Sequence, residues 1–171
     1  CLRRGATDYL SKPVELSVLE IKIASALEKN ILQSNLERMA LYDQLTGLFN
    51  RHSILSALEE FESAYQEDGT DFGILTIDID NFKKINDTYG HDIGDQALQH
   101  LSKVVGQVIR GQDLFGRLGG EEFIIGSNHI SLPDFIDVSE RVRKAVEINN
   151  MALQEGILPF TVSGGVYHSA T

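Results

Sequence analysis

Ile74-Leu75-Thr76-Ile77-Asp78-Ile79-Asp80 is an apolar, β-branched run closed by two acids. A run of this length and type reads as a buried strand, and its acids fall at the strand's carboxyl end. That is where α/β sheets tend to hold ligands. Further along, Leu114-Phe115-Gly116-Arg117-Leu118 and Phe123-Ile124-Ile125 read as two strands joined by a Gly119-Gly120-Glu121-Glu122 turn. The glycines let the backbone turn tightly and approach a ligand, while the acids project from the tip. If that tip lies beside the end of the first strand, Asp78, Asp80, Glu121 and Glu122 converge. Clustered carboxylates repel one another unless a hard cation sits among them, and oxygen-only ligands suit Mg²⁺ or Mn²⁺, usually with a phosphate chain attached. The alternative is that these acids are simply solvated, as acids at strand ends and in turns commonly are.

A chain of 171 residues can hold one good-sized core and a smaller appendage. Its formal net charge of −10 argues against nucleic acid as a partner, because phosphate backbones demand a basic face. A nucleotide carried by Mg²⁺ stays compatible with an acidic protein. The single cysteine, Cys1, excludes an internal disulfide and fits a reducing compartment. No apolar run reaches membrane-spanning length and the start lacks a signal-peptide pattern, so the expectation is a cytoplasmic location with no direct membrane contact.

In chain order, Gly5-Ala6-Thr7-Asp8-Tyr9-Leu10-Ser11-Lys12-Pro13 reads as a loop and short strand, followed by a helix with Leu16, Leu19, Ile23 and Leu27 on one face. The heptad spacing of positions 16, 19, 23 and 26 then lands on Asn30, Gln33 and Glu37, whereas Leu32, Leu36 and Met39 follow a shifted phase. A phase break of this kind suits a helix that leaves one domain and becomes a dimerising linker, and a single surface helix is the alternative. Gly47 interrupts the helical pattern, and Asn50 caps a new helix with Ile54, Leu55, Leu58, Phe61 and Tyr65 on one face.

After Asp80 the spacing predicts a short helix from Phe82 and then a glycine-punctuated loop from Gly90 to Asp95. Backbone N–H groups at the start of a helix that follows a strand suit phosphate oxygens. Asn86 and Asp95 bring an amide and a carboxylate to one region, the pair of types needed to read a guanine. Asp95 reads equally as the N-cap of the helix bearing Ala97, Leu98, Leu101, Val104, Val105 and Val108. Arg110 and Asp113 offer a guanidinium fork and an acceptor, or else an exposed salt bridge. Leu132-Pro133-Asp134 opens a helix with Phe135, Ile136, Val138, Val142, Ala145 and Val146 inward, and Leu158 to Val166 reads as one last strand.

Four blocks of this chain resemble the GGDEF domain, the diguanylate cyclase family: Asp43-Gln44-Leu45-Thr46-Gly47-Leu48-Phe49-Asn50-Arg51, Asp78-Ile79-Asp80-Asn81-Phe82-Lys83-Lys84-Ile85-Asn86-Asp87, Gly90-His91-Asp92-Ile93-Gly94-Asp95 and Arg117-Leu118-Gly119-Gly120-Glu121-Glu122-Phe123. The resemblance implies a palm-like α/β (α+β) fold with a central, mostly antiparallel sheet flanked by helices and preceded by a long linker helix. It also implies condensation of two GTP into cyclic di-GMP, with release of pyrophosphate, across a homodimer. By the same resemblance Asp78, the Ile79 carbonyl, Glu121 and Glu122 hold Mg²⁺, and Glu122 deprotonates the attacking 3′-hydroxyl. Lys83 stabilises phosphate charge, and Asn86, Asp95, His91 and Phe82 take the guanine. Arg110, Asp113 and Arg141 match the family's inhibitory product site.

Residues 1–30 resemble the last strand and helix of a response-regulator receiver domain, with Lys12 at the family's phosphoryl-contacting lysine. This implies control by an upstream histidine kinase. The expected organisation is therefore a receiver remnant at 1–30, a helical linker at 31–42 and a GGDEF domain at 43–171. The GGDEF family continues beyond the last strand with a helix and a further strand, so that domain is expected to be C-terminally truncated. The competing expectations are a catalytically silent GTP or cyclic di-GMP binding module and a receiver-driven dimerisation module.

Overall fold

The run ending at Asp80 forms β1 (Phe72–Ile79), an inner strand of an antiparallel four-stranded sheet ordered β2-β3-β1-β6. Its partners are β2 (Leu114–Gly119), β3 (Glu122–Asn128) and β6 (Val162–His168). A computed structural model of the chain describes residues 15–154 and 156–171. Side chains alternate across β1, so Leu75, Ile77 and Ile79 enter the main core, each at most 5% exposed. Ile74 faces the other way and joins Ile124 beneath α2 (Arg51–Asp68).

Three helices cover the main-core face: α3 (Phe82–Tyr89), α4 (His91–Gly106) and α5 (Leu132–Ile148). Helix α4 buries Ala97, Leu98, Leu101, Val104 and Val105, the stripe its 3.6-residue spacing calls for. Helix α5 starts as its sequence dictates, with Ser131 accepting the Asp134 N–H and Pro133 in the first turn. Asn50 likewise caps α2 by accepting the Ser53 N–H at 3.0 Å.

Several expectations need correction. Gly90–Asp95 is no loop: α3 and α4 abut at Gly90, whose φ of 85° turns the chain within a single residue. The last strand is interrupted, with β5 (Ile157–Leu158) pairing to β4 (Met151–Ala152) in a separate ribbon. Pro159 has no N–H to continue a ladder, and pairing resumes at Val162. Ile136 and Leu55, both expected inward, are 47% and 40% exposed, because each sits one residue off its helix's buried stripe. Val108 lies beyond the end of α4, only partly buried.

The chain divides into two units at the Ala40–Leu41 junction. Ahead of it, α1 (Leu16–Leu41) is one unbroken helix without a buried residue, and its apolar side chains are spread around it rather than gathered on one stripe. Leu16, Ile21, Ile31 and Met39 are each at least 61% exposed. The expected loop and strand from Gly5 to Pro13, including Lys12, fall outside the described residues. No helix among the described residues is long and apolar enough to cross a membrane.

Candidate active site

The β1–β3 register sets Asp78 directly opposite Glu122, which is the first residue of β3 rather than a turn residue. Opposed residues of an antiparallel pair share a face, and like charges there destabilise the sheet. Burial raises the Asp78 pKa above the ordinary aspartate value, and the charges of Glu121, Glu122 and Asp80 push it further in the same direction. A cation among these oxygens would relieve that repulsion. Among the described residues, however, no three acid or imidazole side chains close around a point as a self-sufficient metal cage requires. The donor set therefore fits Mg²⁺ in its shared mode, in which one or two carboxylates and the phosphates of a nucleotide complete the shell. Ile79, the expected source of a carbonyl oxygen, ends β1 opposite Val162.

Asp80 stays within electrostatic reach of Asp78, but its oxygens are engaged elsewhere. Its carboxylate accepts the Thr161 hydroxyl at 2.5 Å and the Ser163 hydroxyl at 2.6 Å, and its N–H donates to the Thr161 carbonyl at 3.0 Å. Both oxygens are thus occupied in fastening the start of β6 to the end of β1. Asp80 lies beyond the last β1 pair, at a point where the hydroxyls of Thr161, just ahead of β6, and Ser163, within it, reach its carboxylate.

The glycine turn is held by an arginine whose role the sequence does not reveal. Arg117 donates to the Gly120 carbonyl from Nε at 3.0 Å and from Nη2 at 2.7 Å, while its Nη1 pairs with Asp43 at 3.1 Å. Burial acts to raise the Asp43 pKa, but the Thr46 hydroxyl and amide together with the Arg117 guanidinium outweigh it, and the net effect is a lowered value. Asp43 sits in the loop after α1, where its N–H donates to Leu48 and its carbonyl accepts from Gly47. An arginine just ahead of a Gly-Gly turn and an aspartate in a distant loop carry no sequence signal that they meet. Gly119 and Gly120 adopt φ values of 140° and 56°, which explains why the turn is glycine.

Beyond the end of β1, Asn81 takes up a left-handed conformation, φ 56°, and its carbonyl accepts from Lys84 and Ile85. The amides of Phe82 and Lys83 belong to the first turn of α3, where helical geometry supplies no acceptor. The Lys83 side chain is exposed and makes no ion pair among the described residues. Asn86, half-buried in the last turn of α3, lays its carboxamide oxygen against Gly94 of α4. Asp95 follows Gly94 directly and is exposed. The helix begins at His91 with Gly90 as its N-cap, so Asp95 is no cap, and its carboxylate has no hydrogen-bond or ion-pair partner among the described residues. His91 is exposed in the first turn, whereas Phe82 is 8% exposed and packs in the main core.

Arg110 and Asp113 form no salt bridge. The Asp113 carboxylate accepts the Arg110 backbone N–H at 2.7 Å, closing a tight turn. Its other oxygen, Oδ1, is buried without a partner among the described residues. Arg141 on α5 donates from Nε to the carbonyl of Val108, two residues ahead of Arg110, at 3.3 Å.

Residues 40–171 match the family described as diguanylate cyclase, GGDEF domain. The response regulator PleD of Caulobacter vibrioides is 35% identical over 178 residues, covering 99% of this chain and 39% of PleD. Diguanylate cyclase A of Treponema denticola is 37% identical over 163 residues, covering 94% of this chain and 42% of that protein. The chain thus spans about two fifths of the length of these curated relatives. Diguanylate cyclase SiaD of Pseudomonas aeruginosa, solved in complex with its activator SiaC, superposes with a TM-score of 0.74 at 34% identity over 89% of this chain and 58% of SiaD. The coiled coil and GGDEF domain of DgcB from Caulobacter crescentus, solved in complex with c-di-GMP, also gives 0.74, at 30% identity over 88% of this chain and 82% of that one.

Proposed function

Because this chain belongs to the GGDEF domain family of diguanylate cyclases, we propose that it joins two GTP into cyclic di-GMP. Each 3′-hydroxyl attacks the α-phosphorus of the other nucleotide; the bond to the β-phosphate breaks, and pyrophosphate leaves. The observation that carries the reading is the forced opposition of Asp78 and Glu122, with Glu121 beside them in the Arg117-held turn. Asp78, the Ile79 carbonyl and Glu121 would hold Mg²⁺ or Mn²⁺ together with the triphosphate. When bound, the ion neutralises phosphate charge and makes the α-phosphorus a better electrophile. Glu122 accepts the proton of the 3′-hydroxyl. Lys83 and the first amides of α3 take up the negative charge that develops on the phosphate oxygens. Asn86 and Asp95, with His91 at the edge, read the guanine.

One such site holds one GTP, so two copies of the chain must face each other to close the ring. The exposed apolar side chains of α1 supply a surface on which two copies could associate. We place the reaction in the cytoplasm. The match to the response regulator PleD covers 99% of the chain and so extends ahead of residue 40, which supports a receiver-derived segment, through which a histidine kinase would act. Cyclic di-GMP would bind back at Arg110, Asp113 and Arg141, where the unpartnered Asp113 Oδ1 awaits a donor such as a guanine amino group.

The test is incubation of the full-length protein with GTP and Mg²⁺, in a sample verified as dimeric. Cyclic di-GMP and pyrophosphate should form, and Glu122→Gln should abolish both while leaving the fold intact. Absence of product would overturn the enzyme reading and leave a binding module. Arg110→Ala should relieve inhibition by added cyclic di-GMP, and unchanged inhibition would remove that site.

A further inference from the structure

We infer that Gly94 sets the purine selectivity of the site by making room for the Asn86 carboxamide; the inference rests on the reading of Asn86 as a guanine contact. Gly94 lies inside α4, where alanine is the better helix former, and no positive φ accounts for the glycine. The surrounding space does account for it. A Cβ here would stand 1.9 Å from Asn86 Oδ1, 3.0 Å from Asn86 Cγ and 3.3 Å from Phe82 Cζ. Gly94 is itself buried, so the carboxamide lies directly on the helix backbone.

The atom that would be struck is the far end of a short, rotatable side chain. The Asn86 backbone is held separately, since its carbonyl accepts the Gly90 N–H at 2.9 Å, and Gly94 is tied to the Gly90 carbonyl at 3.2 Å. An added methyl group can therefore be accommodated by swinging the carboxamide away, with both helices left in place. Asp95 is the next residue along, so the same glycine fixes how far the amide stands from the carboxylate. A purine edge read by that pair needs both groups at one separation, and a displaced amide leaves a ring donor or acceptor unpaired. Gly94 is in this sense a positioning residue that acts through Asn86.

The experiment compares the full-length protein with Gly94→Ala, Asn86→Ala and the double variant, measuring thermal melting and the binding of GTP and of ATP by calorimetry. Gly94→Ala should melt as wild type does and bind GTP about 10- to 100-fold more weakly. Its ATP affinity should be unchanged, so that the preference for guanine collapses. The double variant should be no worse than Asn86→Ala alone, as expected of two residues acting through one contact. If Asn86→Ala loses GTP while Gly94→Ala keeps it, the Gly94 inference fails and the reading of Asn86 stands. If Asn86→Ala binds GTP as wild type does, the reading of Asn86 fails and takes the inference with it. If Gly94→Ala fails to fold while the double variant folds, the carboxamide does not yield, which also overturns the inference.

Discussion

Asp78 is held in the fold against its own electrostatics. Its pKa is raised above the unfolded value of 3.8, so its ionised form is disfavoured; the resulting penalty is absent below that pH and fully present once pH has risen past the folded value. Asp78→Asn should therefore melt higher than wild type at pH 7 without ligand, and the gap should close as pH falls below 3.8. A calorimetric pH series checks this, and equal melting temperatures at neutral pH would contradict it. Asp43 has the opposite sign. Its lowered folded pKa stabilises the protein above 3.8, and that contribution is lost as pH falls through the folded value. Arg117→Met should cost roughly 1–3 kcal/mol in urea unfolding, as for a mostly buried pair, and should lower turnover by freeing the Gly120 carbonyl. Asp80→Ala strips the acceptor from two hydroxyls that fasten β6 to β1 and should lower stability in urea unfolding.

At the level of elements, most of what the sequence promises is present because periodicity reports burial directly. The stripe of α4, the cap at Asn50, the start of α5 at Pro133 and the buried run of β1 are all legible in the spacing of apolar and capping residues. The acids at the end of β1 and in the hairpin are legible as strand-end and turn acids, whereas their adjacency comes from the β1–β3 register. What escapes a sequence reading depends on contacts between segments far apart in the chain. The Asp43–Arg117 pair links residues 74 apart, and the Asp80 buckle links residues 81 and 83 apart. The Gly90 joint reads as a loop because a glycine-rich string resembles a helix breaker, although one glycine at positive φ joins two helices end to end. Gly120→Ala is the test at this scale. Its φ of 56° should make alanine cost about 1 kcal/mol, with turnover falling further than stability because the strain lies next to Glu121.

At the scale of the whole molecule, α1 presents apolar side chains that none of its own packing covers. If two copies associate through it, replacing Leu32 and Leu36 with serine should shift sedimentation toward monomer at micromolar protein and lower activity per mole in parallel. Activity that survives in a monomeric sample would refute the two-copy site. Among the described residues no three acid or imidazole side chains close around a metal unaided, and the proposed reaction needs these carboxylates to hold one that arrives on a nucleotide. The most direct measurement is a Mn²⁺ titration followed by electron paramagnetic resonance, with and without GTP, on wild type and Asp78→Asn. Mn²⁺ should bind weakly alone and strongly once GTP is added, and the variant should lose that gain. A GTP-dependent gain that persists undiminished in Asp78→Asn would contradict this expectation.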